Sequence, residues 1–148
     1  MISDTHGLLR PEAVKALRGS SHIIHAGDVG ASEILEDLRG IAPLTVIRGN
    51  VDNERWAQKL PETEVAEVAG ISIYVLHDLK KLDLKPEAAG FRVVISGHSH
   101  VPKQESRGGV LYFNPGSAGP RRFKLPVTVG RLIVNGDALR AEIIPIAD

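Results

Sequence analysis

Apolar residues along the chain gather into short β-rich runs, most of them closed by Gly, His, Asp or Asn. After the opening Met1–Ser3, these runs are His22–Ala26, Leu44–Ile47, Ile71–Leu76, Val93–Ser96, Val110–Phe113, Val127–Val134 and Ala141–Ile146. A helical period fills the gaps of the first half. Pro11–Arg18 has proline at a first helical position and Gly19 as a stop, and Ser32–Arg39 has Ser32 as N-cap, Ile34, Leu35 and Leu38 as an apolar stripe and Gly40 as C′. Asn53–Leu60, closed by Pro61, reads as a third helix with Trp56 as a packing residue. Alternating strand and helix favours parallel pairing through crossover helices. The second half, mostly strand, turn, strand, favours antiparallel pairing. No Pro/Ser-rich linker, charge block or repeat divides the halves, so residues 1–148 read as one α/β domain with helices outside its sheets.

Composition narrows the chemistry. The chain has six histidines and no cysteine, so disulfide frameworks, thiolate zinc sites, iron–sulfur clusters and cysteine nucleophiles are excluded, and any metal is held by nitrogen and oxygen. Lys plus Arg equals Asp plus Glu at 18 each. Without a basic excess, neither an extended nucleic-acid track nor an anionic membrane surface is the expected partner. No apolar run approaches the roughly 20 residues that span a bilayer, and no signal-peptide pattern opens the chain, so a cytoplasmic protein is expected. A homo-oligomer is compatible with the sequence, although no pattern specifies one.

The metal-capable residues follow the strand runs. Asp4 and His6 come after the opening segment, Asp28 after the next run, then Asn50 and Asp52, then His77, then His98 and His100. Ligands in open α/β sheets gather at the carboxyl ends of strands, so these residues are expected to converge. Asp4 with His6, and His98 with His100, are i, i+2 pairs that in extended backbone would face one centre. Gly27, Gly49 and Gly97 each precede a candidate ligand, where a side chain would obstruct the turn off the strand. Asp4, His6, Asp28, Asn50, His77, His98 and His100 are too many for one three-ligand catalytic zinc and enough for two ions sharing a carboxylate. Imidazole, carboxylate and amide together suit Mn, Fe, Zn, Co or Ni better than Ca or Mg. Two divalent ions beside Asp4 and Asp28 leave roughly +2, which suits a phosphate ester better than a neutral peptide. Helix capping by Asp4 or Asp28, and a plain turn at Asn50, are the competing structural readings.

Asp4-Thr5-His6-Gly7, Gly27-Asp28, Gly49-Asn50-Val51-Asp52, His77 and Gly97-His98-Ser99-His100 occur in the order of the calcineurin-like metallophosphoesterase motifs, and the chain resembles that superfamily from its first residues to about Ser117. Asn114-Pro115-Gly116-Ser117 is similar to a turn of its small single-domain bacterial and archaeal branch. The resemblance implies a four-layer α-β-β-α sandwich of two mixed sheets. It implies two divalent transition-metal ions, Mn foremost with Ni, Fe, Co or Zn as alternatives: one held by Asp4, His6, Asp28 and His100, the other by Asp28, Asn50, His77 and His98, with Asp28 as the bridge. The implied activity is hydrolysis of a small phosphodiester, less so a monoester, by attack of metal-bound hydroxide.

Three features depart from the family pattern. Val51 stands where the family commonly has a histidine that protonates the leaving group, and general acid catalysis is worth roughly 10²–10⁴-fold. Slow turnover or a preference for good leaving groups is therefore expected, with Asp52 orienting His6 or His100 by hydrogen bond. Asp78 follows His77 where glycine is usual. Only three residues precede Asp4, which suggests a shortened first strand deprived of ladder hydrogen bonds. Arg10 and Ser117, with Asn50, are the expected substrate contacts; Arg122 and Lys124 read as solvated surface, His22 as structural, and His25 as packing beneath the site. The rival function is a non-catalytic interaction scaffold on the same fold, as in a retromer subunit whose ligand set is degraded, whereas all seven donor positions here are competent.

Overall fold

The strand–helix alternation of the first half appears as α1 (Pro11–Leu17), β1 (Ile23–His25), α2 (Ser32–Arg39) and β2 (Leu44–Val46) in a computed structural model that describes residues 1–147. Seven strands follow: β3 (Thr63–Val68), β4 (Ile71–Leu76), β5 (Val93–Ile95), β6 (Lys103–Arg107), β7 (Val110–Asn114), β8 (Val127–Asn135) and β9 (Ala138–Ala147). Single 3₁₀ turns occupy Arg55–Lys59 and Leu79–Lys81.

Two sheets are built from these strands. In the first, β1 pairs in parallel with β2, and the opening segment runs along its other side, Ile2 N–H donating to Ile24 O at 2.9 Å and Ala26 N–H to Ile2 O at 3.0 Å. The far side of that segment meets β8, where Met1 and Gly130 exchange both backbone hydrogen bonds at 2.8 Å, and β8 pairs antiparallel with β9. Three residues thus have ladder partners on both sides, and the expected loss of ladder bonds at Met1–Ser3 does not occur. The second sheet has the order β3-β4-β5-β7-β6, parallel at its centre and antiparallel at both edges. The expected antiparallel pairing of the second half holds for β3–β4, β6–β7 and β8–β9 but not at the centre of this sheet, where β4, β5 and β7 run parallel because segment 77–92 and the β6 excursion provide crossovers.

The sheets form a layered α/β sandwich. Helices α1 and α2 press Ala13, Leu17, Ile34, Leu35 and Leu38 onto Ile2, Ile23, Val46 and Val129. Met1, Ile24 and Ile47 meet Ile73, Val75, Val93, Ile95 and Phe113 between the sheets. On the outer face of the second sheet, Tyr74, Leu76 and Val94 lie under Leu79, Leu82, Leu84 and Phe91, so the fourth layer is a 3₁₀ turn and loop rather than a full helix. Among the described residues no helix is long and apolar enough to cross a membrane.

Several local expectations change. β3 and β6 carry no apolar run because they are edge strands: TEVAEV is mostly exposed and KQESR wholly so, and charge on an edge discourages further pairing. Asn53–Leu60 shrinks to the 3₁₀ turn, with Pro61 following. Ser32 lies inside α2, whose N-cap is Ala31 without a side-chain bond, and Gly40 caps the helix with right-handed φ of −69°, so no left-handed C′ is needed.

Gly130 shows how closely the two sheets approach. A Cβ there would lie 2.4 Å from Phe113 Cε1, and Phe113 is fully buried. Gly130→Ala is expected to cost about 1–3 kcal/mol by overpacking, with Phe113→Leu in the same chain recovering part of the loss; urea unfolding of the two variants measures both effects.

Candidate metal centre

Every parallel strand points its carboxyl end at one place, and after the opening segment, β1 and β5 the chain turns there in a conformation that L-residues avoid. Asp4, His6, Asp28, His98 and His100 have φ of 54°, 45°, 56°, 71° and 64°, five of the seven non-glycine residues with positive φ among those described. Each such residue costs roughly 1–2 kcal/mol. The i, i+2 pairs are therefore not extended, as the spacing had suggested. Asp4 still faces His6, but His98 and His100 turn to different groups.

Two clusters result: Asp4, His6 and His100 in one, Asp28, His77 and His98 in the other, with the donor atoms of each cluster within 4.8 Å of one another. In the first, Asp4 Oδ1 lies 3.4 Å from His100 Nε2 and 3.7 Å from His6 Nε2, and the two Nε2 atoms are 3.3 Å apart. In the second, Asp28 Oδ2 is 3.1 Å from His77 Nε2. The same oxygen is 3.5 Å from His6 Nε2, which places Asp28 between the clusters. Asn50 Oδ1 lies 3.1 Å from His98 Nδ1 at the exposed rim. The structure thus brings together all seven residues expected from sequence. The capping alternative fails for both aspartates, since α1 and α2 begin after Arg10 and Ala31.

Hydrogen bonding makes the centre fit a cation. His77 Nδ1 must donate to the Ala26 carbonyl 2.7 Å away, which leaves the Nε2 lone pair facing the Asp28 carboxylate. Asp4 Oδ2 already accepts from Ser3 Oγ and from His98 N–H at 2.6 and 3.1 Å, and Asp28 Oδ1 accepts from Val51 N–H at 3.0 Å. Asp4 Oδ1, His77 Nε2 and His100 Nδ1 are buried without a hydrogen-bond partner. Acceptors facing acceptors in a dry site are costly unless a proton or metal ion lies between them. The electrostatics of the free site favour a proton in that role. Burial opposes charge on Asp4, yet His100, His6 and Ser3 hold it far below the ordinary carboxylate range. Asp28 is lowered despite burial, by His77 and the Val51 N–H. His6 is raised chiefly by Asp4, and His77 is raised by Asp28 and Asp4 against burial. A divalent ion would replace those protons, with imidazole and carboxylate as suitable donors.

Close approach and buried braces hold these groups. A Cβ on Gly49 would lie 2.1 Å from Asp28 Oδ1, and one on Gly97 would lie 2.6 Å from Asp4 Oδ2, so only glycine fits beside either carboxylate. Asp52 corrects an expectation. Its carboxylate accepts from Val29, Gly30 and Gly49 N–H at 2.9–3.1 Å instead of touching His6 or His100, because it turns back into the loops. Ser117 likewise contacts no open surface: it is buried, donating to Asp4 O at 3.0 Å and accepting from Gly119 N–H. Asn114 donates to Gly97 O and Ser99 Oγ, so the Asn114–Ser117 turn clamps the loops of both Asp4 and His98. Arg10 Nε donates to Gly119 O at 3.2 Å. Arg122, read as plain surface, lies close enough to His6 to oppose its protonation, and its neighbour Phe123 is 89% exposed. Isolated loop residues of this kind carry no sequence signal. His22 Nε2 bonds Thr45 Oγ1, consistent with a structural role.

The whole chain is similar to known phosphoesterases. A family model described as the calcineurin-like phosphoesterase superfamily domain matches residues 1–137, and the chain belongs to that family. It is 36% identical over 161 aligned residues to "Probable metallophosphoesterase MJ0623" of Methanocaldococcus jannaschii, covering 100% of this chain and 81% of the relative. It is 26% identical to Phosphodiesterase YfcE of Escherichia coli, covering 88% of this chain and 84% of the relative. Among solved structures, an archaeal phosphodiesterase superposes with a TM-score of 0.79 at 23% identity, covering 97% of each chain. Vps29 of Chaetomium thermophilum superposes with 0.78 at 18% identity, covering 99% of this chain and 95% of that one. Both structural likenesses establish the shared fold.

His25 lies beneath the centre, fully buried, with Nδ1 accepting from Gly27 N–H at 3.1 Å and Nε2 bonded to Thr5 Oγ1 at 3.0 Å. Burial lowers its pKa to about 4. An unfolded histidine titrates near 6.5, so between those values the unfolded chain binds the extra proton and stability falls as pH falls. The slope is about 1.4 kcal/mol per pH unit, on the order of 3 kcal/mol across the window. Urea unfolding of chelated protein from pH 6.5 to 4 is expected to lose stability more steeply in the wild type than in His25→Gln.

Proposed function

We propose that this protein is a binuclear-metal phosphoesterase acting on a small phosphodiester, with Asp4, His6, Asp28 and His100 holding one ion, Asp28, Asn50, His77 and His98 the other, and Asp28 shared. The supporting observation is the convergence of carboxylate and imidazole: Asp28 Oδ2 lies 3.1 and 3.5 Å from histidine nitrogens of both clusters, a contact that needs a proton on the imidazole or a cation between the groups. Ions such as Mn²⁺ would there activate the attacking water and neutralise phosphoryl oxygens. The chain's own contribution is placement. Asn114 and Ser117 fix the His98 and Asp4 loops, Asp52 fixes the Asp28 loop, and Arg10 and Arg122 add positive charge on the His6 side. Retained donors at all seven positions favour this reading over an interaction scaffold.

The rim lacks a histidine donor for the leaving group. Val51 is 43% exposed at the position the family pattern gives to histidine, and Asp52 is committed to backbone N–H groups. The leaving alcohol would therefore depart as its anion or take a proton from solvent, which favours acidic alcohols.

Chelated protein reloaded with Mn²⁺ is expected to hydrolyse an activated aryl diester faster than the matching monoester and to lose that activity with chelator. Asp28→Ala and His98→Ala should lower kcat/KM by about 10³-fold or more, whereas Val51→His should raise turnover of a diester with an alkyl leaving group by about 10-fold or more. Activity indifferent to chelation would overturn the reading.

A further inference from the structure

Two grooves leave the metal centre on either side of the approach between His98 Nε2 and Asp78 Oδ2, which are 4.0 Å apart. The first passes Arg48, Glu62, Lys81 and Asp83, a mixed-charge path with a volume of about 350 Å³. The second, about 800 Å³, passes Gly97 and Ser99 and opens over the outer faces of β6 and β7. Its size falls in the range of small-molecule sites. Leu79, Leu82, Val101 and Tyr112 supply apolar surface along it.

This apolar wall exists because the fourth layer is incomplete. Segment 79–91 covers Tyr74, Leu76 and Val94 but leaves Tyr112 half-buried and Val101 43% exposed. Alternation along β6 sends Lys103, Glu105 and Arg107 to the groove face, where Glu105 pairs with both cations at 3.7 and 3.8 Å, and the Arg107 guanidinium carbon stacks 4.2 Å from the Tyr112 ring centroid. A flat cation over an aromatic ring, flanked by aliphatic side chains, suits a planar apolar group.

We propose that the second groove holds one ester arm of the phosphodiester and that this arm carries an aromatic ring, resting on the proposed phosphodiesterase reading. A diester has two substituents and the centre has two exits, whereas a monoester would leave one groove unused. Val101, Leu79 and Tyr112 are then specificity residues that touch the arm without touching the reacting phosphorus.

The test uses the Mn²⁺-loaded full chain and the monoanionic methyl and benzyl esters of methylphosphonic acid, which resemble a diester and carry poor alkoxide leaving groups, titrated by calorimetry. The benzyl ester is expected to bind about 10-fold or more tightly than the methyl ester, through burial of its ring. Val101→Gln and Tyr112→Ser should each bring the two affinities to within about 2-fold, by weakening the benzyl ester more than the methyl ester. Equal affinities in the wild type would overturn the inference, as would a benzyl preference that survives both variants or disappears only in Phe123→Ser on the opposite rim. Failure of both esters to bind would overturn the phosphodiesterase reading itself and this inference with it.

Discussion

Two buried carboxylates facing four imidazoles is the arrangement on which the rest of this structure depends. Asp4 and Asp28 are almost inaccessible, and their unshared oxygens meet histidine nitrogens rather than water. Such a set is unfavourable in isolation, because desolvated charges and lone pairs cost several kcal/mol unless paired. The fold supplies what can be supplied by protein: Ser3 and His98 N–H satisfy one oxygen of Asp4, and Val51 N–H one of Asp28. The remaining acceptors stay open toward the centre.

The surrounding architecture follows from holding those groups at that spacing. Backbone must pass within van der Waals reach of the carboxylates, which accounts for Gly49 and Gly97. Left-handed turns at Asp4, His6, Asp28, His98 and His100 send their side chains off the strand ends into the crevice. The strain is offset by buried braces: Asp52 on three N–H groups, His25 between Gly27 and Thr5, and the Asn114–Ser117 turn against two loops at once. These loops are anchored to parallel strands of two sheets that share one core, so each cluster draws ligands from both sheets, and the His98 N–H to Asp4 bond ties the two sets of loops together.

Much of this was legible in the residues. Strand ends followed by Gly, His, Asp and Asn predicted convergence, and the apolar runs located the central strands of both sheets. What was not legible has particular causes. β3 and β6 are exposed edges whose charges erase the alternation that marks a strand. The parallel pairing of β4, β5 and β7 depends on crossovers whose only regular elements are a 3₁₀ turn and an edge strand. Asp52 and Ser117 have side chains chemically suited to imidazole or phosphate, and only three-dimensional placement shows them turned to backbone partners. Arg122 near His6 is a contact between distant segments, for which a single sequence gives no spacing rule, whereas the Tyr112–Arg107 pair spans the β6–β7 hairpin, whose charged first strand hides it.

The most direct measurement of the central claim is anomalous diffraction from crystals grown with Mn²⁺. The account predicts two peaks about 3.5–4 Å apart, one among Asp4, His6 and His100, the other among Asp28, His77 and His98, with Asp28 adjoining both. Fully ordered side chains with no peak at either cluster, under saturating Mn²⁺, would contradict it.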